Sequence, residues 1–358
     1  MSDELLESAD ERELRSGVRE MLSAECPWQS VLAFVSGGGD AFDPKLWRTV
    51  ATGMGLAGLL VPEAQGGSGA QWRAAAVVVE ELGRAVAPVP YLSSAVVATT
   101  ALGLGEEPSL LGRLASGELT AALAVPYGLW SAPRLLPVSA GVVNGTVRGV
   151  ADALGAGLLL VPCEDGLYAV DGAAARRTRV MSLDETRPLC DLEFTAAPAR
   201  LVASLSAVPC ALRVAATLMA AEQVGLASWC LDTTVAHLRS RLQFGRPVGS
   251  FQALKHRLAD LWVELTQARS VVAYAVADLA SGGDDASVAA SLAKIVGSEV
   301  AVRAAEECVQ MHGGIGFTWE HPAHLYLKRA KATSVAYGSP DRHRARLATL
   351  VDLPLEAS

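Results

Sequence analysis

The sequence predicts an α+β fold in which a small β unit is inserted between two helical units. Three observations carry this. Apolar residues recur at helical spacing at both ends of the chain, and from about Leu119 to Leu205 they give way to short apolar runs separated by turn signals. A chain of 358 residues with 51% hydrophobic and 19% charged content also has enough material for two or three layers around a large core.

Residues 1–36 read as helical until Gly37-Gly-Gly-Asp-Ala-Phe-Asp-Pro44, where glycine and proline oppose continuation, and a second helix is expected from Pro44. Gly55 to Gly69 is a short apolar run into a glycine loop, followed by a helix over 71–87 that carries Glu80-Glu-Leu-Gly-Arg84. Such a loop can cradle phosphate, but no Gly-Lys-Ser/Thr or Gly-x-Gly-x-x-Gly follows a strand here. Pro88-Val-Pro90 stops that helix, and helical spacing resumes at 91–103 and 108–116. Strands are expected at 120–125, 141–147, 157–161, 167–170, 178–181 and 189–194, punctuated by Asn144-Gly145, Glu164-Asp-Gly166 and Asp171-Gly172.

The helical period returns from Ala207. Phe251, Leu254, Leu258, Leu261, Trp262, Leu265, Ala268, Val272 and Ala275 repeat at three and four residues, which predicts one long helix with a buried stripe, ended by Ser281-Gly-Gly-Asp-Asp285. A further helix is expected over 289–311. The order divides the chain into an N-terminal helical domain (1–118), a middle small β-barrel or sandwich domain (119–205) and a C-terminal helical-bundle domain (206–358), and junctions between such units are common places for a cofactor.

A net charge of −8 and a pI near 5.4 disfavour nucleic acid or an anionic membrane as partners. The six cysteines show neither Cys-x-x-Cys nor zinc spacing and read as reduced thiols. The N-terminus is acidic where a signal peptide is basic, and no apolar run reaches about 18 residues, so a cytoplasmic protein is expected.

Two C-terminal segments, Arg241-Leu-Gln-Phe-Gly-Arg-Pro-Val-Gly-Ser-Phe-Gln-Ala-Leu-Lys-His-Arg-Leu-Ala-Asp260 and Gln310-Met-His-Gly-Gly-Ile-Gly-Phe317, resemble the signature of the acyl-CoA dehydrogenase family. Val61-Pro-Glu-Ala-Gln-Gly-Gly-Ser-Gly69 and Glu80-Glu-Leu-Gly-Arg84 are similar to its N-terminal pattern. The resemblance implies an oxidoreductase with FAD that desaturates an acyl-CoA or carrier-bound acyl thioester. It also implies a homo- or hetero-oligomer (dimer or tetramer) with another chain of this kind, the C-terminal helices of a tetramer forming a four-helix core, and an electron-transfer partner. Arg241 would contact the FAD pyrophosphate, Phe244 and Gln252 would lie near the cofactor, and Gln310, Gly313 and Gly314 would reach the adenine dinucleotide portion of a neighbouring subunit's FAD. The chemistry suits these roles: a guanidinium fork matches phosphate oxygens, and paired glycines let a backbone approach without a β-carbon in the way.

Against the flavin ring the family places a Thr-Glu-Pro-x-x-Gly-Ser-like loop and a Trp-Ile-Thr/Ser strand. Here those stretches read Ala124-Val-Pro-Tyr-Gly-Leu-Trp-Ser131 and Arg148-Gly-Val-Ala-Asp152, so the acid and hydroxyls are gone from those places, and for Tyr127, Trp130 and Ser131 a stacking or hydrogen-bonding substitute and simple packing are both open.

Desaturation needs a carboxylate at the substrate α-carbon. Aligning Lys328-Arg-Ala-Lys331 with the family's run places Tyr337-Gly-Ser339 where a Glu-Gly-Thr is expected, and counting back from Gly225-Leu226 places Ala215 at the alternative glutamate position. Tyr337 is a weak base candidate because a phenol titrates near 10. Glu222 is another, though it lies about 10 Å further along the helix than Ala215. His256 and His312 sit inside the resembling motifs, with a cofactor contact or a structural hydrogen bond both open to them, while His321 and His324 lack acidic partners for a metal. Three readings stand: the base-lacking subunit of a hetero-oligomeric dehydrogenase, a self-sufficient dehydrogenase with another base, and the fold recruited to a non-redox or binding role.

Overall fold

The computed structural model describes residues 6–38, 40–105, 107–281 and 285–351. Gly282 to Asp284, within the expected helix stop at 281–285, lie outside them. Helix α1 (Ala9–Glu25) opens with a capping box, the Glu11 N–H on Ser8 Oγ and the Ser8 N–H on the Glu11 carboxylate. The single helix expected over 1–36 is in fact two, because Pro27 cannot continue α1 and α2 (Trp28–Gly37) starts afresh behind it. Helix α3 (Pro44–Arg48) is capped by the Asp43 carboxylate, and α4 (Trp72–Arg84) is followed by a π-helical run at Tyr91–Ala98, then α5 (Thr99–Gly103) and α6 (Pro108–Ala115).

Seven strands follow: β1 (Ala121–Leu123), β2 (Val138–Ser139), β3 (Val142–Ala151), β4 (Leu158–Cys163), β5 (Gly166–Asp171), β6 (Ala175–Val180) and β7 (Leu189–Ala203). Their order is β1-β4-β5-β7-β3-β2, with β6 also on β7. Strand β7 runs far past the expected end at 194: its first part pairs with β3 and β6, and its last part pairs with β5, so it joins the two halves of the sheet. Strand β4 shows no polar alternation because both its faces are covered. Leu159 and Val161 face the interior of the β unit, and Leu158 and Leu160 join the main core shared with the helices.

The C-terminal part comprises α7 (Ala207–Ser240), a short hairpin β8 (Leu242–Gln243) and β9 (Arg246–Pro247), α8 (Gln252–Ser281), α9 (Ala286–His312), α10 (Ala323–Val335) and α11 (Pro340–Leu350). Helix α7 alone among the described helices is long and apolar enough to cross a membrane, yet 94% of its most apolar window is buried in the protein, where it serves as the central core helix. Helix α4 crosses it at two glycines: a β-carbon added at Gly83 would overlap the backbone carbonyl of Glu222, and one added at Gly225 would overlap that of Glu80. This close crossing gives Glu80-Glu-Leu-Gly-Arg84 its physical meaning. Helix α8 buries Leu261, Leu265, Ala268, Val272 and Ala275 as expected, but Trp262, about 100° round the helix from Leu261, is 60% exposed. The apolar period alone does not distinguish a face turned to the chain's own core from one turned outward.

Candidate functional site

The junction of the three units holds a buried ionic cluster. Glu222, on α7, accepts from Arg187 Nη2 at 2.7 Å and from Arg329 Nη1 of α10 at 2.8 Å. Arg329 also pairs with Asp184 at 2.6 Å, and Arg187 lies 3.8 Å from Asp152. Asp152 accepts from Ser93, and the Tyr127 hydroxyl lies 3.2 Å from Arg187 Nη1. All of these side chains are almost wholly buried. Burial alone would raise the Glu222 pKa, but the two guanidiniums outweigh it and hold the carboxyl at about 2, against an ordinary 4.5. Burial raises Asp152, partly offset by Arg187 and by the Ser93 hydrogen bond. None of Arg187, Arg329, Asp152 or Asp184 was singled out from sequence; Arg187 sits in a turn, Arg329 in a run read only as an alignment anchor, and their pairing joins the middle and C-terminal units.

Tyr337 packs edge-on to Tyr127 at 5.8 Å between ring centres, and its N–H donates to the Tyr127 carbonyl at 2.8 Å. Its φ of 51° is left-handed, a costly state for a bulky residue. Burial, reinforced by Tyr127, pushes its phenol well above the ordinary 10, so it stays protonated. Ala215 is fully buried, between Arg213 and Ala216, which line a cavity. The two β-unit stretches that depart from the family pattern meet directly, the Tyr127 N–H donating to the Gly149 carbonyl at 2.9 Å. Among Ser93, Val97, Tyr127, Ala151 and Tyr337 only about 10 Å³ stays open, room for one water at most.

On the other side of Trp130 and Tyr337 lies a cavity of 920 Å³, between the 130–135 loop, the start of α7, the start of α9 and α11. It is lined mainly by apolar side chains, with Ser131, Arg213, His343 and Arg346 among the polar groups and no carboxylate among the described lining residues.

The resembling motifs gather elsewhere, at one end of the helical bundle. The His237 and His312 rings are 4.3 Å apart, and the His312 and His321 rings 4.1 Å, which brings the ends of α7 and α9 together. The buried His312 donates from Nδ1 to the Cys308 carbonyl, 2.7 Å away. Arg241 closes α7, and its side chain makes no hydrogen bond or ion pair among the described residues. Phe244 and Gly245 form the hairpin turn with φ of 53° and 73°, and Phe244, 88% exposed, holds an unfavourable backbone in the open. Gly313 adopts φ 63° and ψ −139°, a conformation reserved for glycine, and Gln252, Gln310, Gly313 and Gly314 are all exposed. His256 is exposed on α8, and His324 packs against Trp319 with ring centres 4.5 Å apart. Among the described residues no set of three or more His, Cys, Asp or Glu side chains is arranged to hold a metal.

Comparison with known proteins places this geometry. Residues 8–118 match the acyl-CoA dehydrogenase N-terminal domain, and residues 206–351 match the C-terminal domain of the same family. The chain is 36% identical over 308 residues to acyl-CoA dehydrogenase IpdE2 of Mycobacterium tuberculosis, covering 86% of each. Among solved structures it is similar to the Tcur3481-Tcur3483 steroid ACAD (TM-score 0.86, 30% identity, 96% of this chain and 98% of that one). It is also similar to the ChsE4-ChsE5 complex from Mycobacterium tuberculosis (TM-score 0.90, 25% identity, 98% and 99%).

The cofactor is FAD. Its fit to this chain is uneven. The unpaired Arg241 guanidinium and the exposed glycine backbone at 313–314 suit a dinucleotide lying against the bundle end, whereas the ring-edge stretches at 124–131 and 148–152 close on each other through Tyr127. Matched by both domain models and by a full-length relative, the chain is a member of the acyl-CoA dehydrogenase family.

Proposed function

We propose that this chain is the base-lacking subunit of a hetero-oligomeric acyl-CoA dehydrogenase. It pairs with a glutamate-bearing homologue and lends Arg241, Phe244, Gln252, Gln310, Gly313 and Gly314 to the FAD held by that partner. The observation that carries the reading is the state of Glu222: this acid is clamped by Arg187 and Arg329 and cannot turn to a substrate without breaking buried ion pairs to both guanidiniums. Tyr337 stays protonated and Ala215 has no acid to offer.

In α,β-desaturation a carboxylate removes the α-proton while the β-hydrogen leaves as hydride, which FAD accepts when bound. In this reading the partner supplies the carboxylate, and this chain's part is to bind and orient. When FAD is bound, the Arg241 fork would hold the pyrophosphate, and the Gly313 backbone would let the dinucleotide approach. The apolar groups left in the open around the same bundle end and on α8, namely Leu242, Phe244, Trp262, Phe317 and Trp319, supply a surface for the partner subunit. The solved relatives include paired chains, ChsE4 with ChsE5 and Tcur3481 with Tcur3483, and the latter acts on steroids by its name, which supports a bulky acyl group as the substrate of the assembly. The six cysteines are free thiols, in keeping with a cytoplasmic location.

Co-expression with a glutamate-bearing homologue tests this: a mixed assembly that retains FAD and desaturates acyl-CoA is expected, with the chain alone inactive. One observation favours a second reading, a non-redox or binding role: only about 10 Å³ stays open between Tyr127 and Tyr337. That reading predicts a protein that remains colourless at 450 nm when FAD and any partner are supplied.

A further inference from the structure

Three imidazoles stand in a column at one end of the helical bundle. His312 is the middle ring, with His237 of α7 on one side at 4.3 Å between ring centres and His321 on the other at 4.1 Å. The column continues through Trp229, 6.4 Å from His321, to Tyr326, which stacks flat on Trp229 at 3.6 Å. It ties α7, the end of α9 and the start of α10 together, and the segment between His312 and His321 hangs from it.

The surroundings give the rings different affinities for a proton. His312 Nδ1 donates to the Cys308 carbonyl at 2.7 Å and lies 3.6 Å from the Cys308 sulfur, so Nε2 is the nitrogen left to accept a proton. His312 is also the last residue of α9, where the helix dipole favours a cation. His321 is placed the opposite way: its Nδ1 accepts from the Ala323 N–H at 3.2 Å, at the first residue of α10, so a proton there displaces that bond and meets the positive end of a helix. His237 lies half-buried in the last turn of α7, with Arg241 one turn on.

Burial lowers His312, but its contacts with the Cys308 sulfur and carbonyl outweigh it and raise the ring above the ordinary 6.5. Burial, then His312 and Arg241, lower His237. Burial, then His312, His237 and His324, lower His321 to about 4. The other titratable or charged groups about the column are the Cys230 thiol of α7, Lys328 of α10, the exposed Glu320 and, from α4, Arg84, whose carbonyl takes the Tyr326 hydroxyl. Among the described residues no carboxylate pairs with any of the three rings, so a second proton finds nothing to neutralise it.

We infer that the column is an acid-sensitive latch on the segment between α9 and α10: it stays closed with one proton, on His312, or with none, and a second proton, on His237, drives the rings apart and frees the segment. One imidazolium between neutral ring faces is held by them, whereas two at 4.3 Å repel. Because His237 is depressed in the closed state, the open state binds the second proton more readily, and opening increases as pH falls below about 6.5. Gln310, Gly313 and Gly314 flank His312, so opening carries the proposed flavin contacts with it. In that respect alone the inference rests on the proposed function, and its test needs neither flavin nor partner.

The test is hydrogen–deuterium exchange of the full chain at about pH 7 and about pH 5, corrected for the chemical exchange rate. The amides of 309–326, from the last turn of α9 to the first turn of α10, are expected to lose protection by about tenfold or more at the lower pH, while those of α4 do not. His237→Phe keeps a ring for the stack and removes the base, so its protection should change by no more than about twofold. NMR titration of the imidazole signals gives an independent reading: His312 should take its proton before His237, and in His312→Phe the His237 titration should move up toward its ordinary value. The inference is overturned if 309–326 is equally protected at both pH values, if α4 loses protection by the same factor, or if folded His237→Phe opens as the parent does. It is equally overturned if His237 and His312 titrate together near the ordinary value in the parent chain, a result that depends on no variant.

Discussion

Replacing Glu222 by Gln tests the clamp at the domain junction. In the parent chain the carboxyl is held at about 2 against an ordinary 4.5, and that difference, at about 1.4 kcal/mol for each tenfold, amounts to roughly 3 kcal/mol. Removing one partner from a buried ion pair costs about 3–5 kcal/mol, so the two routes agree in scale. Because the folded-state pKa is depressed, the contribution is complete above about pH 4.5 and is lost as pH falls toward 2. Urea unfolding of parent and Glu222→Gln chains at pH 7 should therefore differ by about 3 kcal/mol, and at pH 3 by about 1 kcal/mol. Equal stability at pH 7, or a gap that persists unchanged at pH 3, refutes the clamp. If the variant is fully stable but a mixed assembly loses its turnover, Glu222 is a base after all.

Further expectations concern other elements. Gly83→Ala should force α4 from α7 and lower stability by about 1–3 kcal/mol, measured by the same titration, while Gly37→Ala, with open space around it, should be tolerated. Lys294 is buried against Ser298 and the carbonyls of Thr333 and Ser334, and burial lowers its ammonium to about 7 from 10.5. The unfolded chain then binds a proton that the folded one releases, so stability should rise by about 2 kcal/mol from pH 7 to 9, a rise that Lys294→Met should remove. Arg241→Ala should leave the melting curve of the isolated chain unchanged and lower flavin retention in the mixed assembly by about tenfold or more, read as absorbance at 450 nm per chain.

Much of the fold was legible because its signals are local. The change from helical spacing to short runs at Leu119 marks where the β unit begins, and Asn144-Gly145 and Asp171-Gly172 mark its turns. What the sequence withheld is non-local. The break at Pro27 interrupts a run whose apolar spacing continues through it, β7 extends past Phe194 because it bridges two halves of a sheet, and Trp262 keeps the period of a buried stripe while facing out. The Arg241 and Gln310 segments were found by their resemblance. The ionic cluster was not, because Asp152 and Arg187 meet Glu222 and Arg329 only when two separate units close on one another.

The most direct test is native mass and flavin content of the chain purified alone and after co-expression with a glutamate-bearing homologue. A mixed oligomer is expected, with bound FAD, acyl-CoA turnover that survives Tyr337→Phe, and loss of that turnover when the partner's glutamate is replaced. A homotetramer of this chain that retains FAD and desaturates acyl-CoA unaided would contradict the account.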